Sequence, residues 1–95
     1  MDSDATPRNT ETAILDRLIA PERDDLPPEA ARYLLGIDFG QVDRERMNQL
    51  ASKAQEGVLT GEEVVEAQNY RHVSHFLALL QSKARRSLKR ARLPA

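Results

Sequence analysis

Apolar positions along this chain recur at helical spacing in four separate stretches, and the last is much the longest. Val73, Leu77, Leu80, Ala84, Leu88 and Ala91 follow one another in steps of three and four, with no Pro before Pro94. That rhythm predicts one amphipathic helix. Its start is well signalled: Thr60 can cap the first turn, Glu63 can reach back to the cap, and Leu59 and Val64 stand where a hydrophobic staple closes over it. A helix running from there to Arg92 has about 31 residues and spans roughly 46 Å. A compact domain of this size has a diameter of roughly 30 Å, so the C-terminal end is expected to protrude or to meet a partner.

Three shorter elements precede it. Ile14, Leu15, Leu18 and Ile19 form a stripe that Asn9 or Thr10 can cap and Pro21 ends, which predicts a helix over about residues 10 to 20. After the charged linker Pro21 to Asp25, Pro28 to Leu35 reads as a two-turn helix, with Pro near its first position and Gly36 just past its end. Gly40 can start a third helix through Met47, Leu50, Ala51 and Ala54, closed by a left-handed Gly57 with Val58 packing back. The connection of about four residues to the long helix predicts an antiparallel hairpin. Its seam is expected to join Met47, Leu50 and Ala54 to Val65, Tyr70, Val73 and Leu77. Nothing alternates with period two, so no strand is predicted. The fold class is all-α: a helical hairpin with a long C-terminal helix plus one or two short N-terminal helices. One domain is expected over residues 10–93, preceded by a disordered polar segment at residues 1–9.

Composition tightens this picture. Ninety-five residues with 4% aromatics and no Trp allow one small domain with a thin core of Leu, Val, Ile and Ala. The absence of Cys excludes disulfides, thiolate metal sites and a Cys nucleophile, and favours an intracellular setting. The acidic start Met1-Asp2-Ser3-Asp4 is unlike a signal peptide, and no apolar run approaches the ~20 residues of a membrane span. A cytoplasmic protein without a membrane partner is therefore expected.

The net charge of −1 hides a strong polarity: residues 1–66 carry −8 and residues 67–95 carry +7. The helix macrodipole favours cations only in the last turn, which accounts for Lys89, Arg90 and Arg92 but not for Lys83, Arg85 and Arg86. No acid follows Glu66 to form the usual i, i+4 pairs. Lys83, Arg85, Arg86, Lys89 and Arg90 are therefore expected to meet something negative: an acidic partner surface, nucleic acid, or the chain's own acidic half. The run Phe76 to Leu80 is apolar nearly all round, as in a helix buried on several sides, whereas a helix that reads DNA keeps its outer face free of Leu. Phe76, Leu77, Leu80, Ala84 and Leu88 are thus the expected partner-binding residues, unless the two short N-terminal helices fold across them. The protein partner can also be a second copy of the chain.

Catalytic and metal chemistry find little support. His72 and His75 are spaced to share a metal ion, but further ligands are lacking nearby. They can instead tune a contact through titration near neutral pH. Gly36, Gly40, Gly57 and Gly61 all fall at predicted helix ends, not in a phosphate-binding loop, and a helical hairpin offers little cleft for paired carboxylates. No catalytic residue, metal or cofactor is expected.

The stretch Leu59-Thr60-Gly61-Glu62-Glu63, then Asn69-Tyr70 and Leu77-Ala78-Leu79-Leu80-Gln81-Ser82-Lys83-Ala84-Arg85, with Arg46-Met47-Asn48-Gln49-Leu50 upstream, resembles a group of small helical proteins of Planctomycetes and cyanobacteria. The likeness covers about residues 28–90. Pro27 departs from the Ser or Thr usual there, and Ser74 from a common Gly. Genes of this group lie beside HNH endonuclease or toxin-like genes, so the resemblance implies an antitoxin-like or accessory subunit whose partner is a nuclease or toxin. The leading expectation is a noncatalytic partner-binding protein acting through its long basic helix, with a nucleic-acid-binding protein or a structural homodimer as alternatives.

Overall fold

Thr10, Pro27, Gly40 and Thr60 each open a helix, giving α1 (Glu11–Ile19), α2 (Pro28–Leu35), α3 (Gln41–Glu56) and α4 (Gly61–Arg90). These come from a computed structural model that describes residues 9–91. The disorder expected for residues 1–8 and the helical position expected for Arg92 lie outside that range. Among the described residues there is no strand, and the fold is the expected all-α arrangement dominated by a long C-terminal helix.

Local chemistry sets the helix ends. The Thr10 hydroxyl accepts from the Ala13 amide at 3.1 Å. Pro27 leaves α2 without a side-chain cap. Gly57, at φ 73°, takes the left-handed conformation that ends α3. Its amide reaches the Ala54 carbonyl at 3.1 Å and the Val58 amide reaches that of Lys53 at 3.0 Å, the two bonds of a Schellman cap. In α4 the Thr60 hydroxyl accepts from the Glu63 amide and the Glu63 carboxylate from the Thr60 amide, both at 3.1 Å. The predicted capping box is complete. Ala20 closes α1 at φ 50°, left-handed without being glycine.

The three short helices all pack on α4, and none packs on another. Ala31 of α2 and Ala84 of α4 are both fully buried. With only methyl groups at that point the two helices approach closely, and Leu26, Leu34, Leu35 and Leu88 close around them. α1 crosses beside α2 and buries Ile19, while α3 lies on the N-terminal half of α4 and buries Leu50. The result measures 47 × 45 × 15 Å. Its short dimension is no more than one helix resting on another at 8–10 Å between axes.

Two expectations need correction. The α3–α4 seam sets Met47, Leu50, Ala51 and Ala54 beside Ala67, Tyr70, Arg71 and Ser74, while Val65 and Val73 are 55% and 51% exposed. Charge sets this rotation of α4: Glu63, Glu66 and Tyr70 turn toward partners on α3, and the valines turn away. The C-terminal end of α4 also does not stand free, because the linker before α2 runs beside it as far as Arg90. The domain lengthens to match its helix.

So small a core makes each member count. Leu88→Ala should cost about 2–4 kcal/mol in urea unfolding, whereas Leu18→Ser, at a position 77% exposed, should stay within about 0.5 kcal/mol. Ala20→Gly, relieving the left-handed alanine, should stabilise by about 0.5–1 kcal/mol.

Candidate binding surfaces on the long helix

The C-terminal half of α4 carries a polar stripe beside its apolar one, and the stripe is used internally. Lys83 Nζ donates to the Ile19 carbonyl at 2.7 Å and pairs with Asp25 at 3.0 Å. Its side chain is only 13% exposed. One turn on, Ser87 Oγ accepts from the Leu26 amide at 3.1 Å, and beyond it Arg90 Nε meets the Asp24 carbonyl at 3.0 Å and its carboxylate at 3.2 Å. Gln81 Nε2 donates to the Leu34 and Ile37 carbonyls at 3.1 and 2.8 Å. Lys83 thus satisfies a carbonyl that the end of α1 leaves open, while Gln81 ties down the turn after α2, where the Leu34 carbonyl also accepts from the Ile37 amide at 3.2 Å. The Lys83 hydrogen bond also holds the Asp25 carboxyl below its ordinary range.

Of the three alternatives for the basic stem, Lys83 and Arg90 take the last: they bind the chain's own acidic linker. Arg85, Arg86 and Lys89 differ: they are exposed, and among the described residues no carboxylate pairs with any of them. With Ser82 and Arg90 they line an open cleft of about 620 Å³ that Glu22 and Asp24 border.

The expected apolar surface divides in the same way. Ala84 and Leu88 are buried under α2, so they are core and not partner-facing. Leu77 and Leu80 are half-buried, and Phe76 remains 37% exposed. Phe76 lines a cleft of about 240 Å³ with Leu15, Thr12, Glu11, His72 and Val73. Val73 continues into a second cleft of about 380 Å³ with Phe39, Asp43, Glu66, Asn69 and Tyr70. There the Phe39 and Tyr70 rings meet edge to face, centroids 6.2 Å apart. Sequence reasoning assigned Val73 to the hairpin seam and gave Phe39 no role. The available signal was aromatic scarcity: the chain has two Phe and two Tyr, and three of the four gather here or at Phe76.

His72 and His75 face α1 and not each other's ligand. His72 Nδ1 lies 3.8 Å from Glu11 and His75 Nε2 3.2 Å from Asp16. Among the described residues no three His, Asp or Glu side chains are grouped to hold a metal ion. No described helix is long and apolar enough to cross a membrane.

At the opposite pole α3 is held mainly by charge. Arg46 bridges Glu66 at 2.7 and 2.8 Å and reaches Glu63 at 3.3 Å, Lys53 meets Glu63 at 2.6 Å, and the Tyr70 hydroxyl donates to Asp43 at 2.7 Å. The Lys53 hydrogen bond, then the Thr60 amide, pulls the Glu63 carboxyl down to about 2. Glu66 is lowered by Arg46, and Tyr70 is raised by Asp43.

No family model, curated protein or solved structure matches the chain. The functional reading therefore rests on these surfaces.

Because Glu63 titrates lower in the fold than its ordinary 4.5, its contribution is full above that pH and is lost as pH falls toward about 2. Thermal melts from neutral pH downward should show Tm dropping across that window. Glu63→Gln should lower Tm at neutral pH and flatten the drop; an unchanged acid slope in that variant removes Glu63 from the account.

Proposed function

We propose that this is a noncatalytic, cytoplasmic partner-binding protein that grips a protein partner through the apolar surface around Val73 and Phe76. One observation carries the reading: among the described residues ten large apolar side chains are exposed, whereas the buried apolar core consists of only Ile19, Ala31, Leu50, Ala84 and Leu88. A plate this thin has little interior in which to place them. Each such side chain contributes about 1.5–3 kcal/mol when fully buried, so covering several supplies a useful association energy. Val73 joins two neighbouring clefts into one surface, and the half-buried Leu77 and Leu80 extend the apolar stripe beside it. The resemblance noted above adds the role: an antitoxin-like or accessory subunit whose partner is a nuclease or toxin.

Val73→Glu with Phe76→Ser should abolish binding of a hydrophobic dye and release any co-purifying protein, with Tm nearly unchanged because both positions are partly exposed. Sedimentation of the wild type distinguishes self-pairing from a foreign partner. A stable monomer that binds neither dye nor protein overturns the proposal.

A further inference from the structure

A different side of α4 points to a different class of ligand. At about 100° per residue, Arg71, Ser74, His75, Ala78, Ser82, Arg85, Arg86 and Lys89 fall within roughly 120° of one another. α2 lies against Gln81, Ala84 and Leu88, α1 against His72, His75, Phe76 and Lys83, and α3 against Ser74, so the open ridge runs from Ala78 to Lys89, with the exposed Arg71 in line with it at the edge of the α3 seam. Leu77, Leu79 and Leu80 are not on it. The sequence argument against a nucleic-acid-facing helix was that residues 76–80 are apolar nearly all round; in the fold those leucines are half-buried beside the ridge, and the largest aliphatic group on it is the methyl of Ala78.

We propose that this ridge binds the phosphodiester backbone of duplex DNA. Arg71, Arg85, Arg86 and Lys89 are exposed, α4 carries no carboxylate beyond Glu66, and none of the four is ion-paired among the described residues. The carboxylates at the edge of the cleft are Glu22 and Asp24. Asp24 is held by Arg90 and Asp16 by His75, which leaves Glu22 against Arg85, Arg86 and Lys89, so the face stays cationic. Arg71 and Lys89 stand roughly 27 Å apart along the axis, within the roughly 34 Å of one turn of B-form duplex. The major groove, about 12 Å wide, admits a helix presenting small side chains. An acidic protein segment is the competing ligand. Exposed ion pairs contribute little to protein association without an apolar anchor, and this face has no such anchor, whereas a duplex needs only cations to displace its condensed counterions. The inference uses the opposite side of α4 from the Val73–Phe76 surface and stands without it.

The test is fluorescence anisotropy of a labelled mixed-sequence DNA duplex titrated with the full chain at several salt concentrations. With four phosphate contacts the slope of log K against log salt should be about −3.6, in the non-specific affinity range of about 10⁻⁴ to 10⁻⁶ M. Arg85→Gln, Arg86→Gln and Lys89→Gln together should make the slope shallower by about 2.7, Arg71→Gln by about 0.9. Circular dichroism should show these variants folded, because none of the four residues is in the core. Lys83→Gln, in contrast, should lower Tm and leave the slope of the folded protein unchanged. No duplex binding at low salt, a slope indifferent to the triple variant, or polyglutamate binding in place of the duplex overturns the proposal; the last outcome assigns the ridge to an acidic protein.

Discussion

Among the described residues every tertiary contact between helices is a contact with α4. The short helices do not support one another, so each is stable only while the segment of α4 beneath it remains helical and correctly rotated. This explains the redundancy at the start of α4, where hydroxyl and carboxylate of the capping box close the first turn from both sides. It also explains why α4 carries polar side chains where a core would carry leucine. Gln81, Lys83 and Ser87 bind backbone groups in or beside α1, α2 and their linker, positioning two short helices whose own apolar faces are too small to do so.

The two ends of α4 hold their neighbours by different physics. Toward the C-terminus, methyl groups at Ala31 and Ala84 permit close approach and Leu88 supplies the buried area. Toward the N-terminus, α3 contributes one well-buried leucine and relies on Arg46, Lys53 and Asp43 to engage Glu63, Glu66 and Tyr70. The first attachment depends on apolar burial, the second on ionisation. They should therefore loosen under different conditions, with α3 responding first to acid. Both attachments leave two sides of α4 open: one apolar around Val73 and Phe76, the other cationic from Arg71 to Lys89. That segregation puts the surface proposed for a protein and the surface proposed for a duplex on opposite sides of one helix.

Much of the fold was legible because helix signals are local. Thr10, Pro28, Gly57 and the Thr60–Glu63 pair act within four residues of themselves, so reading them needs no knowledge of what lies across the structure. The seam was misread for the converse reason: apolar periodicity gives a stripe but not which side a neighbour takes, and the ion pairs of α3 rotated α4 away from Val65 and Val73. The basic stem shows the same limit. Lys83 and Arg85 are alike in sequence, but one lies 2.7 Å from a backbone carbonyl and the other is exposed.

Sequence alone determined that this chain makes four helices, that the last is far longer than the rest, and that charge runs from acidic to basic along it. These follow from spacing, caps and composition, all of them short-range or additive. Tertiary structure decided which cations are structural, which leucines are core and which side of α4 is left open. Those assignments depend on where chain distant in sequence comes to rest: Asp25 lies fifty-eight residues from Lys83 in the numbering but at 3.0 Å in the fold, and no local pattern encodes that meeting.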